Sequence, residues 1–269
     1  MTRLERILYL NRILLSEMPQ YLEEAATFPK TESAERRLLR SLMNVRPPRP
    51  LREDFLKEQD ILLTEETAAK GIVTLADLSP ASSHAPNLFL WQGDITRLAA
   101  DAIVNAANSA LLGCFVPCHG CIDNAIHSAA GLRLRDACHA LMQEQGHEEP
   151  AGQAKITPAF NLPSRYVLHT VGPIVAPRGG AYEPTAEDGK LLANCYRSCL
   201  DLAENHHLAS IAFCCISTGE FHYPNRPAAE LAIQTVTDWL SASRSPMKVV
   251  FNVFKDEDAF IYGELLKNL

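Results

Sequence analysis

No apolar run in this 269-residue chain approaches the eighteen or more residues of a membrane-spanning helix, so an integral membrane protein built on such helices is excluded. The N-terminal stretch is not expected to be a signal peptide either. The opening MTRLERILYLNRILL carries Arg3, Glu5, Arg6 and Arg12 within its apolar run, which is the pattern of an amphipathic helix. There is no excess of basic residues: the formal net charge of -7 counts against a nucleic-acid partner, because phosphate binding draws on a basic surface. The 8 cysteines are few for a disulfide scaffold of this size, and only one region crowds them together. A closed structural zinc site pairs two short ligand hairpins far apart in sequence, and the second hairpin is lacking. These absences point to a cytoplasmic protein with reduced thiols and no membrane partner. What remains, 47% hydrophobic and 21% charged residues, is ordinary for one large domain or a domain with an extension.

The stretch from Asp101 to Gly131 organises the rest. Ala102 to Val104 is a short apolar strand that runs into two amides, Asn105 and Asn108. Amides are poor strand formers and good hydrogen-bonding groups, so something polar is held there. Cys114, Cys118, His119 and Cys121 then crowd around a glycine and a proline before a helical pattern resumes at Ile122. Thiolate and imidazole are the donors zinc prefers. Three ligands with one open position is the arrangement of a catalytic zinc, which keeps that position for water or substrate. The plain alternative is a set of loop cysteines acting as small apolar residues.

Taken in order, helices are expected over Leu4–Leu15, Ser33–Met43 and Leu56–Ala69, packed on the main body. Leu78–Pro86 is too rich in turn formers for a regular element and marks a boundary, with 1–84 a helical extension and 85–269 the main domain. Leu88–Trp91 is a strand leading to Asp94, whose carboxylate can cap the next turn. Leu132–Gln145 reads as a helix, with Cys138, His139 and His147 on or near it as surface or packing residues. Ala154–Phe160 and Tyr166–Val171 pair around an LPSR turn, Gly172–Pro184 is a loop, and Thr185–His207 is a helix that buries Cys195 and Cys199. The strand Ser210–Cys215, a glycine-bearing loop and a helix from Asn225 form a unit whose backbone N–H groups can cradle a phosphate. Met247–Phe254 and Asp258–Leu266 close the chain as a strand and a helix.

Three motifs, GDIT at Gly93–Thr96, VNAAN at Val104–Asn108 and ISTGEFHYP at Ile216–Pro224, make residues from about Asn87 to Leu269 resemble the macrodomain family of ADP-ribose-binding proteins. Where ordinary macrodomains carry a glycine-rich run, this chain has GCFVPCHGCIDN, which resembles the zinc-dependent microbial branch, whose members are ADP-ribosyl hydrolases. The resemblance implies an α/β fold: a three-layer α/β/α sandwich with a mixed central sheet, preceded by the N-terminal helical extension. It implies adenine recognition by Asp94 and Ile95, and ribose hydroxyls oriented by Asn105 and Asn108. It gives the diphosphate to the main chain of Ser217, Thr218, Gly219 and Glu220, and sets Phe221 along the distal ribose. Asn252 and Phe254 then neighbour the adenine end.

One zinc ion is expected on Cys114, His119 and Cys121. Cys118 remains open as a fourth ligand, because it adjoins His119 and both could hardly reach one ion from an extended loop. Asp123 is the nearest carboxylate for a base or an outer support, or else the cap of the following helix. The expected activity is removal of mono-ADP-ribose from protein side chains by cleavage at the anomeric carbon of the distal ribose. A non-catalytic ADP-ribose reader with a structural zinc would use the same cleft without turnover.

Overall fold

Four amphipathic stretches build the N-terminal part of the computed structural model, which describes residues 1–269 apart from the side chain of Arg178. Helix α1 (Arg3–Glu17) starts with a capping box in which Thr2 and Glu5 satisfy each other's backbone donors. Helices α2 (Leu22–Ala26), α3 (Glu32–Val45) and α4 (Glu53–Lys70) follow, α3 capped by the Thr31 hydroxyl. The three expected helices are present, and α2 is an additional one. Their apolar faces meet in a core of their own, including Ile7, Leu10, Leu39, Phe55 and Leu62, which Leu132 of the main body joins.

The chain then alternates strands and helices. Strands β1 (Val73–Thr74), β2 (Pro80–Ser82), β3 (Ala85–Gln92), β4 (Leu98–Ala99) and β5 (Ala102–Ala106) precede helices α5 (Ile122–Ala130) and α6 (Leu132–Gln145). Next come β6 (Ala154–Pro158), β7 (Tyr166–Thr170), β8 (Pro177–Arg178) and β9 (Ala181–Tyr182). Helix α7 (Ala186–Asn205), β10 (Ser210–Phe213), α8 (Asn225–Ser243), β11 (Lys248–Val253) and α9 (Asp256–Leu266) complete the chain.

Seven strands form one mixed sheet in the order β2-β3-β11-β10-β5-β7-β6. The inner pairs are parallel, and β2 and β6 close the edges antiparallel. Strands covered on both faces read as unbroken apolar runs; Ile103, Val104, Ala212, Val249 and Val250 are fully buried. Helices α5 and α6 pack against β5 and β6, while α7 packs on β6 and β7, α9 on β2, β3 and β11, and α8 between α7 and α9. The result is the expected α/β/α sandwich behind a helical N-terminal segment.

Two local expectations fail. The stretch Leu78–Pro86 is not irregular: Pro80–Ser82 forms an edge strand on β3, where a proline without an N–H costs no ladder bond. The expected loop Gly172–Pro184 contains the β8–β9 hairpin. Its turn residues Gly179 and Gly180 have φ of 57° and 89°, the positive pair that a tight hairpin turn requires.

The two cores are latched by polar contacts. The buried Arg135 of α6 donates to the carbonyls of Met43 and Arg46 on one side and of Leu112 on the other. Burial lowers its pKa to about 10, and it remains charged at neutral pH. Asp60 of α4 receives Arg133 and Asn161, and the Gln59 side chain accepts from the Leu132 N–H.

Candidate active site

Asn105, one residue before the end of strand β5, is fully buried between β10 and β7. Its amide Nδ2 donates to Asp123 Oδ1 at 2.8 Å and lies 3.2 Å from His169 Nδ1. Its Oδ1 is buried without a partner, and an unpaired buried acceptor is costly unless a ligand completes it. Asn108 donates to the Gly113 carbonyl at 3.2 Å and reaches Asp123 Oδ2 at 3.4 Å. Asp123 thus receives both amides. Burial pushes its carboxyl up to about 6, against the opposing pull of Asn105 and of Arg135. The capping role on α5 belongs instead to Cys121, whose thiol accepts from the Asn124 N–H at 3.4 Å.

The loop between β5 and α5 gathers three of its four donors. The ligating atoms of Cys114, His119 and Cys121 all lie within 4.8 Å of one another, and each residue is half-buried. Cys114 Sγ is 3.7 Å from His119 Nδ1, close to the roughly 3.6 Å that a sulfur and a nitrogen span when both bind one tetrahedral zinc. His119 Nε2 faces Glu220 at 3.7 Å, the outer carboxylate that commonly orients a ligating imidazole. Burial raises the free Cys121 thiol to about 12, and Cys114 and Asp123 beside it add to this; a bound cation would reverse that preference. The residues therefore fit a borderline-soft divalent ion. Cys118 does not join them: it turns away, its thiol 3.3 Å from the Ser41 hydroxyl and 3.6 Å from the Arg37 carbonyl.

Opposite this loop lies the segment after β10. Ser217 has φ of 65° and a buried Oγ without a partner. Among the described residues, the N–H groups of Ser217, Gly219, Glu220 and Phe221 donate to no carbonyl. Space around the Gly219 α-carbon is open, and Phe221 is half-buried. Free N–H groups, positive φ and a following helix make an anion cradle. Gly172 is required beneath it, since a β-carbon there would lie 2.0 Å from Ser217 Oγ. Tyr182 of the β8–β9 hairpin stacks on His222 at 4.3 Å and props the same loop.

At the far end, Asp94 uses Oδ1 to accept from the Thr96 N–H at 3.0 Å and from its hydroxyl at 2.6 Å. The capping role read from the sequence is therefore present. Its second oxygen lies 3.5 Å from Lys70 Nζ at the end of α4. The Ile95 side chain is buried in the main core, which leaves its main chain for a ligand. Asn252 donates to the Gly93 and Trp91 carbonyls and fixes this turn, while Phe254 is exposed beside it.

Sequence reasoning passed over several members of this region. His169 stands opposite Asn105 in the β5–β7 register and bonds Thr157 Oγ1 at 2.9 Å. His127, four residues after Asp123 on α5, approaches its Oδ1 at 3.5 Å. Cys138, read as a packing residue a helix away, is buried 3.6 Å from His169 Nε2. The available signal was a polar residue interrupting each of two buried apolar runs, Val104-Asn105 and Leu168-His169.

An α/β/α sandwich that sets a buried amide-and-carboxylate pair, a thiol-imidazole loop and a set of free N–H groups at the carboxyl ends of its central strands has them where open α/β sheets bind their ligands. The comparisons narrow it. Residues 104–232 match the family model of the Macro domain. A protein-ADP-ribose hydrolase of Treponema medium is 52% identical over 99% of this chain and 100% of its own length. The Oceanobacillus iheyensis macrodomain solved with ADP is 41% identical, with a TM-score of 0.59 over 66% of this chain and 89% of that one. The Trypanosoma brucei macrodomain solved with ADP-ribose gives 29% identity and a TM-score of 0.65 over 81% of this chain and 92% of that one. The chain belongs to the macrodomain family. Among the described residues, no helix is long and apolar enough to cross a membrane.

Proposed function

We propose that this hydrolase removes mono-ADP-ribose from protein side chains, cutting at the anomeric carbon of the distal ribose, with one zinc ion held by Cys114, His119 and Cys121. The observation that carries the reading is convergence: the S-N-S donor set, the Asn105–Asp123 pair and the anion cradle all stand at the carboxyl ends of neighbouring strands. The hydrolase name of the Treponema medium relative and the ADP-ribose named with the Trypanosoma brucei structure support the substrate. On this reading residues 85–269 form the macrodomain and 1–84 an extension packed on it, in a cytoplasmic protein without a nucleic-acid partner.

A zinc ion bound here would polarise a substrate oxygen or acidify a bound water. The chain's own groups do the rest. Asp94 and the main chain of Ile95 hold adenine, and the main chain of Ser217, Thr218, Gly219 and Glu220 wraps the diphosphate, the N–H groups of Ser217, Gly219 and Glu220 donating while that of Thr218 stays on the Cys215 carbonyl. Phe221 packs along the distal ribose. Asn105, its Nδ2 fixed on Asp123, offers the unpartnered Oδ1 to a ribose hydroxyl, and Asn108 aligns a second. Asp123, with its pKa raised to about 6, is placed in the range where a carboxyl both takes and gives a proton near neutral pH.

The test is release of ADP-ribose from a mono-ADP-ribosylated protein, comparing zinc-loaded, chelated and Cys114→Ala protein. Turnover lost in the last two, with circular dichroism unchanged, is the expected result. Turnover that survives chelation would remove zinc from the chemistry and leave Asp123 to carry it. Tight ADP-ribose binding with no turnover in any form would make the protein a reader.

A further inference from the structure

One face of α3 presents Arg37, Arg40, Ser41 and Asn44 at i, i+3, i+4 and i+7, the spacing of a single helical stripe. The opposite face, with Leu38, Leu39, Leu42 and Met43, is buried in the N-terminal core. Every member of the polar stripe touches the Cys114–Cys121 loop or its anchor. Arg40 Nε and Nη2 donate to Asn124 Oδ1 at 3.2 and 2.7 Å, and Nη2 also reaches the His119 carbonyl at 3.2 Å. Asn44 Oδ1 accepts the Cys118 N–H at 2.9 Å, and its Nδ2 donates to Ser128. The Cys118 thiol donates to the Arg37 carbonyl and lies 3.3 Å from the Ser41 hydroxyl.

The loop needs this support. Cys118 has φ of 52°, a left-handed conformation that a β-carbon disfavours and that persists only where surrounding contacts over-determine it. Asn124, the residue Arg40 grips, is fully buried and acts as a hub: its N–H goes to the Cys121 thiol and its Nδ2 to the Val116 carbonyl. One guanidinium thus bears on two of the three ligands, on His119 through its carbonyl and on Cys121 through Asn124.

We propose that Arg40 and Asn44 are positioning residues which hold the loop in its metal-ligating conformation, making the N-terminal helical segment part of the active site. The proposal rests on the reading of Cys114, His119 and Cys121 as the metal set. It gives the extension a defined role, because the strained backbone at Cys118 turns that thiol out of the site and leaves three donors facing in.

The experiment compares wild type, Arg40→Met, Arg40→Lys and Arg36→Met in the full chain. Arg36 lies on the same helix and, among the described residues, its side chain bonds Glu66 of α4 alone, so its loss loosens the segment without touching the loop. Zinc release to a chromogenic chelator, kcat and KM, ADP-ribose affinity by calorimetry, and amide exchange over residues 114–121 are measured. Arg40→Met is expected to release zinc ten- to a hundred-fold faster, as for lost outer support of a metal ligand, and to lower kcat. Its ADP-ribose affinity should stay within about twofold, because adenine and diphosphate are held elsewhere. Arg40→Lys should recover part of the loss, and Arg36→Met should release zinc at the wild-type rate. Equal zinc release by Arg40→Met and wild type overturns the proposal, as does equal acceleration by Arg36→Met. A wild type that takes up no zinc defeats the metal reading itself. Amide exchange then decides the inference, and unchanged loop protection in Arg40→Met overturns it.

Discussion

Among the described residues two trios of the same donor types lie close together, and they differ as candidate metal centres. Cys114, His119 and Cys121 are half-buried beside the cleft; His127, Cys138 and His169 are fully buried beneath it, and each trio keeps its donors within 4.8 Å. Donor chemistry is therefore not what separates them. In the buried trio His169 is already committed, accepting from Asn105 and bonding Thr157, which fixes Nε2 as the protonated nitrogen. A cation there would also sit near the buried guanidinium of Arg135, whose charge already disfavours protonation of His127. In the loop trio the Cys121 thiol accepts one N–H, from Asn124, and keeps lone pairs for a metal, and the trio has access from solvent and a facing carboxylate in Glu220. Accessibility and prior hydrogen bonding choose between the trios.

The largest expected effect breaks the loop trio. Cys114→Ala should abolish zinc retention and lower kcat/KM at least 100-fold, about 2.7 kcal/mol of transition-state stabilisation. Wild type should carry one zinc per chain by elemental analysis; two would mean that the buried trio also binds and would end the distinction drawn above.

The buried trio should reveal itself through protons instead of metal. Burial lowers the pKa of His169 to about 3 and that of His127 well below 6.5. The unfolded chain therefore binds more protons than the folded one below about pH 6.5, and this stabilisation is lost as pH falls toward 3. His169 contributes a slope of about 1.4 kcal/mol per pH unit in that window, and His127 acts in the same direction. Asp123, raised to about 6, opposes them between about 3.8 and 6. His169→Gln keeps an acceptor for Asn105 and a donor for Thr157 but cannot titrate. The difference between its stability curve and that of wild type, from denaturant titrations at several pH values, should rise by about 1.4 kcal/mol per unit between pH 6 and 4. A flat difference would show that His169 is not the buried neutral group its surroundings require.

A smaller effect is expected at Cys138. Its thiol fills core space next to His169, so Cys138→Ala should cost about 1 kcal/mol by urea unfolding, the scale of a small cavity, with zinc content and turnover unchanged. Loss of zinc in this variant would promote the buried trio to a metal site.

How much of this was legible in the chain follows from range. The end of β5, the thiol-imidazole loop and the strand–loop–helix at Ser217 are local patterns, and the structure places each where its pattern implies. His169 beside Asn105 depends on a register between β5 and β7, set by turns and a helical layer in between, which no local window contains. Cys138 reads from its own helix as a surface or packing residue, but α6 packs on β6 and brings its thiol within 3.6 Å of His169 Nε2. The stripe on α3 was visible as a spacing; its partner was not, because an exposed polar face and a docked one have the same periodicity.

The finest distinction lies within the loop, between the three donors that converge and the one that does not. Cys118 adjoins His119 in sequence, yet its left-handed backbone sends its thiol toward α3. Asn tolerates that conformation better than other residues with a β-carbon and lacks a thiolate. Cys118→Asn should therefore keep one zinc per chain and near wild-type turnover, with a stability change within about 1 kcal/mol: relief of backbone strain against loss of the Ser41 contact. Zinc loss comparable to that of Cys114→Ala would mean that the loop turns Cys118 inward when metal binds, converting an open three-ligand site into a closed four-ligand one. A closed site has no position for water or substrate, so the same result would move zinc from the chemistry to the scaffold.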